Sequence, residues 1–139
     1  MVDAYRQPYI PFYLTTKEFF SLVRDHLEPG GLVIVNVGHP QGSTSLERAL
    51  GATMRAVFGY GAVWRDPAQS VNTMLVGTTS TDPAGRLRAA AAMLPADLAP
   101  VVSAAAGRII PALTGGQVFT DDRAPVEWLV DLSLAEQAR

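Results

Sequence analysis

Leu32-Val33-Ile34-Val35-Asn36-Val37 is the stretch on which the fold turns. It is an almost unbroken β-branched run, and a strand apolar on both faces belongs in the middle of a parallel sheet covered by helices. Such a strand needs neighbours on both edges. Immediately upstream, Thr15-Thr16-Lys17-Glu18 reads as a capping box. In it the Thr15 hydroxyl accepts from the Glu18 amide and the Glu18 carboxylate reaches back. Leu14 and Phe19 hold the two positions of a hydrophobic staple, and Phe19, Leu22, Val23 and Leu27 follow helical spacing. The spacing predicts a helix over 16–27, ended by Pro29-Gly30-Gly31.

Downstream, Thr44-Ser45-Leu46-Glu47 is a second capping box. It opens a helix carrying Leu46, Leu50, Met54, Val57 and Phe58, closed by Gly59. Residues 62–64 and 71–77 read as two more strands, with Asp66-Pro67 marking the turn between them. Asp82-Pro83 then starts an alanine-rich helix running to about Leu94, with Asp as N-cap and Pro in the first turn. Pro95 interrupts it, and further helices are predicted over 98–110 and 127–138, with irregular chain over 119–126. No repeat and no linker breaks the sequence, so residues 1–139 form one domain.

Helix, strand, helix, strand, strand is the order of a doubly wound α/β sheet. Such a unit opens with a strand feeding its first helix, and Met1-Val2-Asp3 supplies only the last turn of one. The glycine-rich first turn of a nucleotide-binding half is missing too. Gly59-Tyr60-Gly61 follows a helix and not a strand, so it is no phosphate cradle. The expected fold is therefore the C-terminal half of a Rossmann-like, methyltransferase-type sheet with added C-terminal helices. The alternative is a small complete α/β domain with a short edge strand at its start.

Composition narrows the functions. A chain of 139 residues that is 48% hydrophobic and 17% charged is long enough to bury a real core. It has no cysteine, which excludes disulfides and thiolate metal sites. A formal charge of −2 without like-charge runs leaves no nucleic-acid footprint. Two histidines support no metal cluster. The opening residues lack the build of a signal peptide and the apolar stretches are too short to span a bilayer, so a cytoplasmic protein is expected.

Several blocks resemble a known family. Asp3-Ala4-Tyr5, Ile10-Pro11, Leu14-Thr15-Thr16-Lys17-Glu18-Phe19-Phe20, Leu27-Glu28-Pro29-Gly30-Gly31 and Thr120-Asp121-Asp122-Arg123-Ala124-Pro125-Val126-Glu127 look like bacterial spermidine synthase-like proteins. The blocks bracket nearly the whole chain and correspond to the second half of the family's catalytic domain. What the resemblance implies is aminopropyl transfer from decarboxylated S-adenosylmethionine to a diamine such as putrescine. In that family an aspartate at the end of the fourth strand helps deprotonate the attacking amine, and the matching position is Asp3. An alkylammonium must lose a proton before its nitrogen can attack the carbon beside a sulfonium, and a carboxylate also attracts and orients the cation. Two positions depart from the family pattern. Arg6 stands where a second aspartate is usual, and Asp66 replaces a tyrosine before the proline that matches Pro67.

The candidate site is thus Asp3 as general base, with Tyr5 walling the substrate pocket and Asp66 gripping an amine. Their ordinary readings are a loop carboxylate capping an amide, a ring packed under the first helix, and a turn residue. Asn36 and His39 follow the central strand and should share the rim with Asp3, although His39-Pro40 is also turn chemistry. His26 reads as a helix-end residue, where a cation is favoured. Asp121 and Asp122 read as solvated, and Phe19, Phe20, Trp64 and Trp128 as core or interface. The donor, decarboxylated S-adenosylmethionine or S-adenosylmethionine itself, has no cradle in these residues, so no cofactor is expected on this chain alone and the chain is expected to be inactive. Rival readings are an S-adenosylmethionine-dependent methyltransferase-like domain and a catalytically silent α/β domain acting by association. An unpaired sheet edge predicts self-association.

Overall fold

The computed structural model describes residues 1–5, 8–39, 42–59, 61–67 and 71–138. Arg6, Pro40 and Tyr60, which entered the reading above, lie outside them. Among the described residues the chain is an α/β structure of five α-helices and a four-stranded sheet. In order these are α1 (Lys17–Asp25), β1 (Leu32–Gly38), α2 (Ser45–Phe58), β2 (Val63–Asp66), β3 (Asn72–Thr78), α3 (Pro83–Ala91), α4 (Ala99–Arg108), β4 (Ile110–Pro111) and α5 (Val126–Gln137). Strand order across the sheet is β1-β3-β2-β4.

The expectation of a parallel sheet is corrected here. β1 pairs antiparallel with β3, β3 with β2, and β2 with β4. An apolar run carries no mark of its neighbours' direction; it records only that both faces are shielded. The other edge of β1 holds a single parallel bridge, Val2 to Val35. In it Val2 N donates to Ile34 O at 2.7 Å and Asn36 N to Val2 O at 3.0 Å. That bridge sets Asp3 level with Asn36 at the carboxyl end of β1.

β1 is buried in alternation. Val33, Val35 and Val37 enter the main core with Leu75, Leu50, Met54, Phe20, Phe119 and Val126. Leu32 and Ile34 face the opposite side, where α3 and α4 form a lid over a cleft. α2 approaches the sheet closely at Gly77, where a Cβ would meet Met54 Cε at 2.9 Å.

The helix starts follow the predicted residue types with different bonds. In α1 the cap is Thr16, whose hydroxyl accepts from Phe19 N at 3.2 Å, while Thr15 donates back to Phe12 O. Glu18 does not close a capping box; its carboxylate accepts from Asp121 N at 3.0 Å, a tie across the fold. Thr44 occupies the N-cap position of α2 without a side-chain cap, and accepts from Arg48 Nε instead. Asp82 caps α3 as read, accepting from Gly85 N at 2.8 Å. Gly59 ends α2 at φ 97°, a conformation that side chains with a Cβ resist. Phe20 is core, whereas Trp128 is 62% exposed.

Candidate functional site

The carboxyl end of β1 opens into a cavity of about 460 Å³. Asp3, Tyr5, Asn36, His39, Asn72 and Val130 are among its walls. Its position follows from the local chain. The Val2 bridge aligns the opening residues with β1, and Asp3 is the first residue beyond it. Sheet ends of this kind are where α/β folds commonly place ligands, because loops diverge there and leave backbone groups exposed.

Asp3 is exposed, and its Oδ1 accepts from Asn36 Nδ2 at 2.9 Å. Asn36 Oδ1 in turn accepts from Asn72 Nδ2 at 2.8 Å. Tyr5 is fixed by both lone pair and proton. Its Oη donates to Asn36 O at 3.0 Å and accepts from the Gly38 amide. The tyrosine lies so close to β1 that a Cβ on Gly38 would meet Oη at 3.3 Å. Burial pushes the Tyr5 phenol above its ordinary range; the bond from Gly38 opposes this and the Asp3 carboxylate adds to it. The phenol is therefore neutral at ordinary pH, and both of its hydrogen-bonding functions are engaged.

A second chain of polar groups runs beneath the cavity. His39 Nε2 lies 3.3 Å from Thr73 Oγ1, and that hydroxyl donates to Glu47 Oε2 at 3.2 Å. Glu47 is 1% exposed. Its charge is met by Arg65, whose Nη2 donates to Oε2 at 3.1 Å and whose Nε sits 2.6 Å from Oε1, off the line of a good hydrogen bond. Glu47 had been read only as the acid of a capping box. The signal that it is internal lies in its spacing, since Glu47, Leu50 and Met54 share one helical stripe. Alternation along β2 likewise puts Arg65 on the face of Val63.

The structure brings Asp3, Tyr5, Asn36 and His39 together, and leaves Asp66 apart. Asp66 lines the other cleft, of about 380 Å³, between the sheet and α3–α4. Arg108 of α4 grips its carboxylate through Nε at 3.0 Å and Nη2 at 2.9 Å, and that bond holds the guanidinium pKa above its ordinary value. Asn72 is the site residue that the sequence reading missed: a polar side chain opening a strand otherwise read for its apolar content. His26 ends α1 as expected, its Nδ1 2.8 Å from Leu22 O. Among the described residues no group of three His, Cys, Asp or Glu side chains could hold a metal ion. No helix among them is long and apolar enough to cross a membrane.

Over 62 residues the chain is 47% identical to a curated protein of Bifidobacterium longum (strain NCC 2705) named probable polyamine aminopropyl transferase. Over that stretch the chain is similar to this one aminopropyl transferase. The match takes in 44% of this chain and 14% of the Bifidobacterium aminopropyl transferase, so it spans a small part of that relative's length. No family model matches the chain, and no solved structure does.

Proposed function

We propose that this chain carries the amine-binding edge of an aminopropyltransferase-type site, with Asp3 as the group that attracts the acceptor amine and takes its proton. The observation that carries the reading is Asp3 itself. It is a carboxylate at the mouth of a cavity, set at the end of β1 by the Val2 bridge and held by an amide from β1. The similarity to an aminopropyl transferase supports it. The arrangement of the sheet fits the second half of a Rossmann-like, methyltransferase-type fold. β1 and β2 run in the same direction because each pairs antiparallel with β3, and Val2 runs parallel to β1.

In this reading a primary ammonium enters the cavity and gives a proton to Asp3. Its nitrogen lone pair then forms the N–C bond to the methylene beside the sulfonium of decarboxylated S-adenosylmethionine. The C–S bond breaks, and its electron pair stays on sulfur as a neutral thioether. Asp3 lowers the barrier by holding the amine and accepting its proton. Tyr5, with no free donor, walls the cavity and shapes it without exchanging protons. Asp66, the other proposed amine contact, takes part in this reading only if Arg108 releases it.

Calorimetric titration of the 139-residue chain with putrescine tests this. Binding is expected, and Asp3→Asn, which keeps the shape and removes the charge, should weaken it about tenfold, the scale of one charge-assisted hydrogen bond. Equal binding by the two proteins would remove Asp3 from the role.

A further inference from the structure

The hydrogen bonds around Asp3 have a direction. A carboxylate only accepts, so Asn36 must turn its Nδ2 toward Asp3 and its Oδ1 away. The oxygen so placed can be met only by a donor, and Asn72 supplies one from the first position of β3. Each link fixes the orientation of the next. The backbone of Asn36 is held as well, because its main-chain N and O are committed to Val2 O and the Tyr5 hydroxyl. The row therefore crosses from β3 through β1 to the opening segment, and joins three pieces of chain by side chains alone.

We propose that Asn72 is a positioning residue for the amine site, acting through Asn36 to hold Asp3. The relay occupies Oδ1 of Asp3 and, among the described residues, brings no donor to Oδ2. That second oxygen is the one presented to the incoming amine. Without Asn72 the Asn36 amide loses the contact on its oxygen side and is held by Asp3 alone, so the Nδ2 that anchors Asp3 is less narrowly placed. Burial of the relay is partial, as Asn36 and Asn72 are half-buried, so the effect is one of aim and not of fold stability.

The inference rests on the amine reading above, and two measurements keep the two apart. The first is a double-mutant cycle in putrescine affinity. Asn72→Leu removes the donor without adding charge and is expected to weaken binding roughly threefold to tenfold, the span of coupling between neighbours in one network. In an Asp3→Asn background the same change should have almost no further effect. Equal losses in both backgrounds would make Asn72 a structural residue and overturn the proposal. The second needs no amine: the side-chain amide resonances of Asn36 in a 15N-labelled protein. Asn72→Leu should shift both protons of that NH₂ group, and an unmoved signal would overturn the relay even if putrescine binds. Should Asn72→Leu fail to fold, Asn72→Ser, which shortens the arm beyond reach of Asn36, takes its place in both experiments.

Discussion

The two faces of the sheet are built from neighbouring residues of the same strands, yet they are packed very differently. On one face Val35, Val37 and Leu75 are fully buried against Leu50, Met54 and Phe20 of α2 and α1. On the other, Leu32 is 47% exposed, and Ile34, Met74 and Val76 look into the cleft under α3 and α4. Trp64 alternates onto that same face, and its Nε1 is buried with no acceptor among the described residues. An unmet buried donor costs about 1–3 kcal/mol. The lesson is that β-branched composition recruits cover to both faces, but only shape complementarity fills one of them. The better-packed face is that of α2, and the proposed amine site lies at the end of β1, where Val130 joins that core and Asn36 alternates onto the face of Ile34.

The largest expected effect breaks the comparison most cleanly. Leu50→Ala on α2 should cost about 3–4 kcal/mol of unfolding free energy, since the cavity left in a close-packed core collapses little. Leu87→Ala on α3, beside an existing cleft, should cost about 1 kcal/mol or less. Urea unfolding of the two variants reads both. Equal losses would mean that the cleft is closed in solution and that the faces do not differ.

A smaller effect sharpens the contrast at the site side. The phenols of Tyr5 and Tyr9 both lie above the ordinary tyrosine value. For Tyr5 the main cause is burial; for Tyr9 it is the bond its hydroxyl donates to Asp131 Oδ1 at 2.7 Å. A raised pKa in the folded state means that their contribution is fully present below about pH 10 and is lost as pH rises through the folded values. The melting temperature should therefore fall above about pH 10, and less steeply in a Tyr5→Phe/Tyr9→Phe protein. An alkaline limb of the same slope in both proteins would contradict this.

Much of this was legible in the residues. Apolar spacing located α1, α2 and the strands, and Asp82-Pro83 marked the start of α3 to the residue. Strand direction was not legible, because Leu32 to Val37 has the same pattern whichever way β3 runs. Nor were the partners of capping residues: Glu18 and Glu47 sit at the right spacing for local bonds, but long-range partners, Asp121 and Arg65, take them. For Glu47, 1% exposed, burial makes an unpaired carboxylate costly and so favours the tertiary partner, whereas Glu18 is exposed and its bond to Asp121 has no such cause. Asp3 and Tyr5 were found through family resemblance, whereas Asn72 required knowing which strand lies beside β1.

The most direct test of the account is to map where a diamine lands. Backbone amide signals followed during putrescine titration of the 15N-labelled chain should move at Asp3, Tyr5, Asn36, Gly38 and His39. They should stay still at Val76, Leu87 and Ala105, which line the cleft under α3 and α4. Movement confined to the cleft under α3 and α4, or no movement at all, would contradict the placement of the amine site at the end of β1.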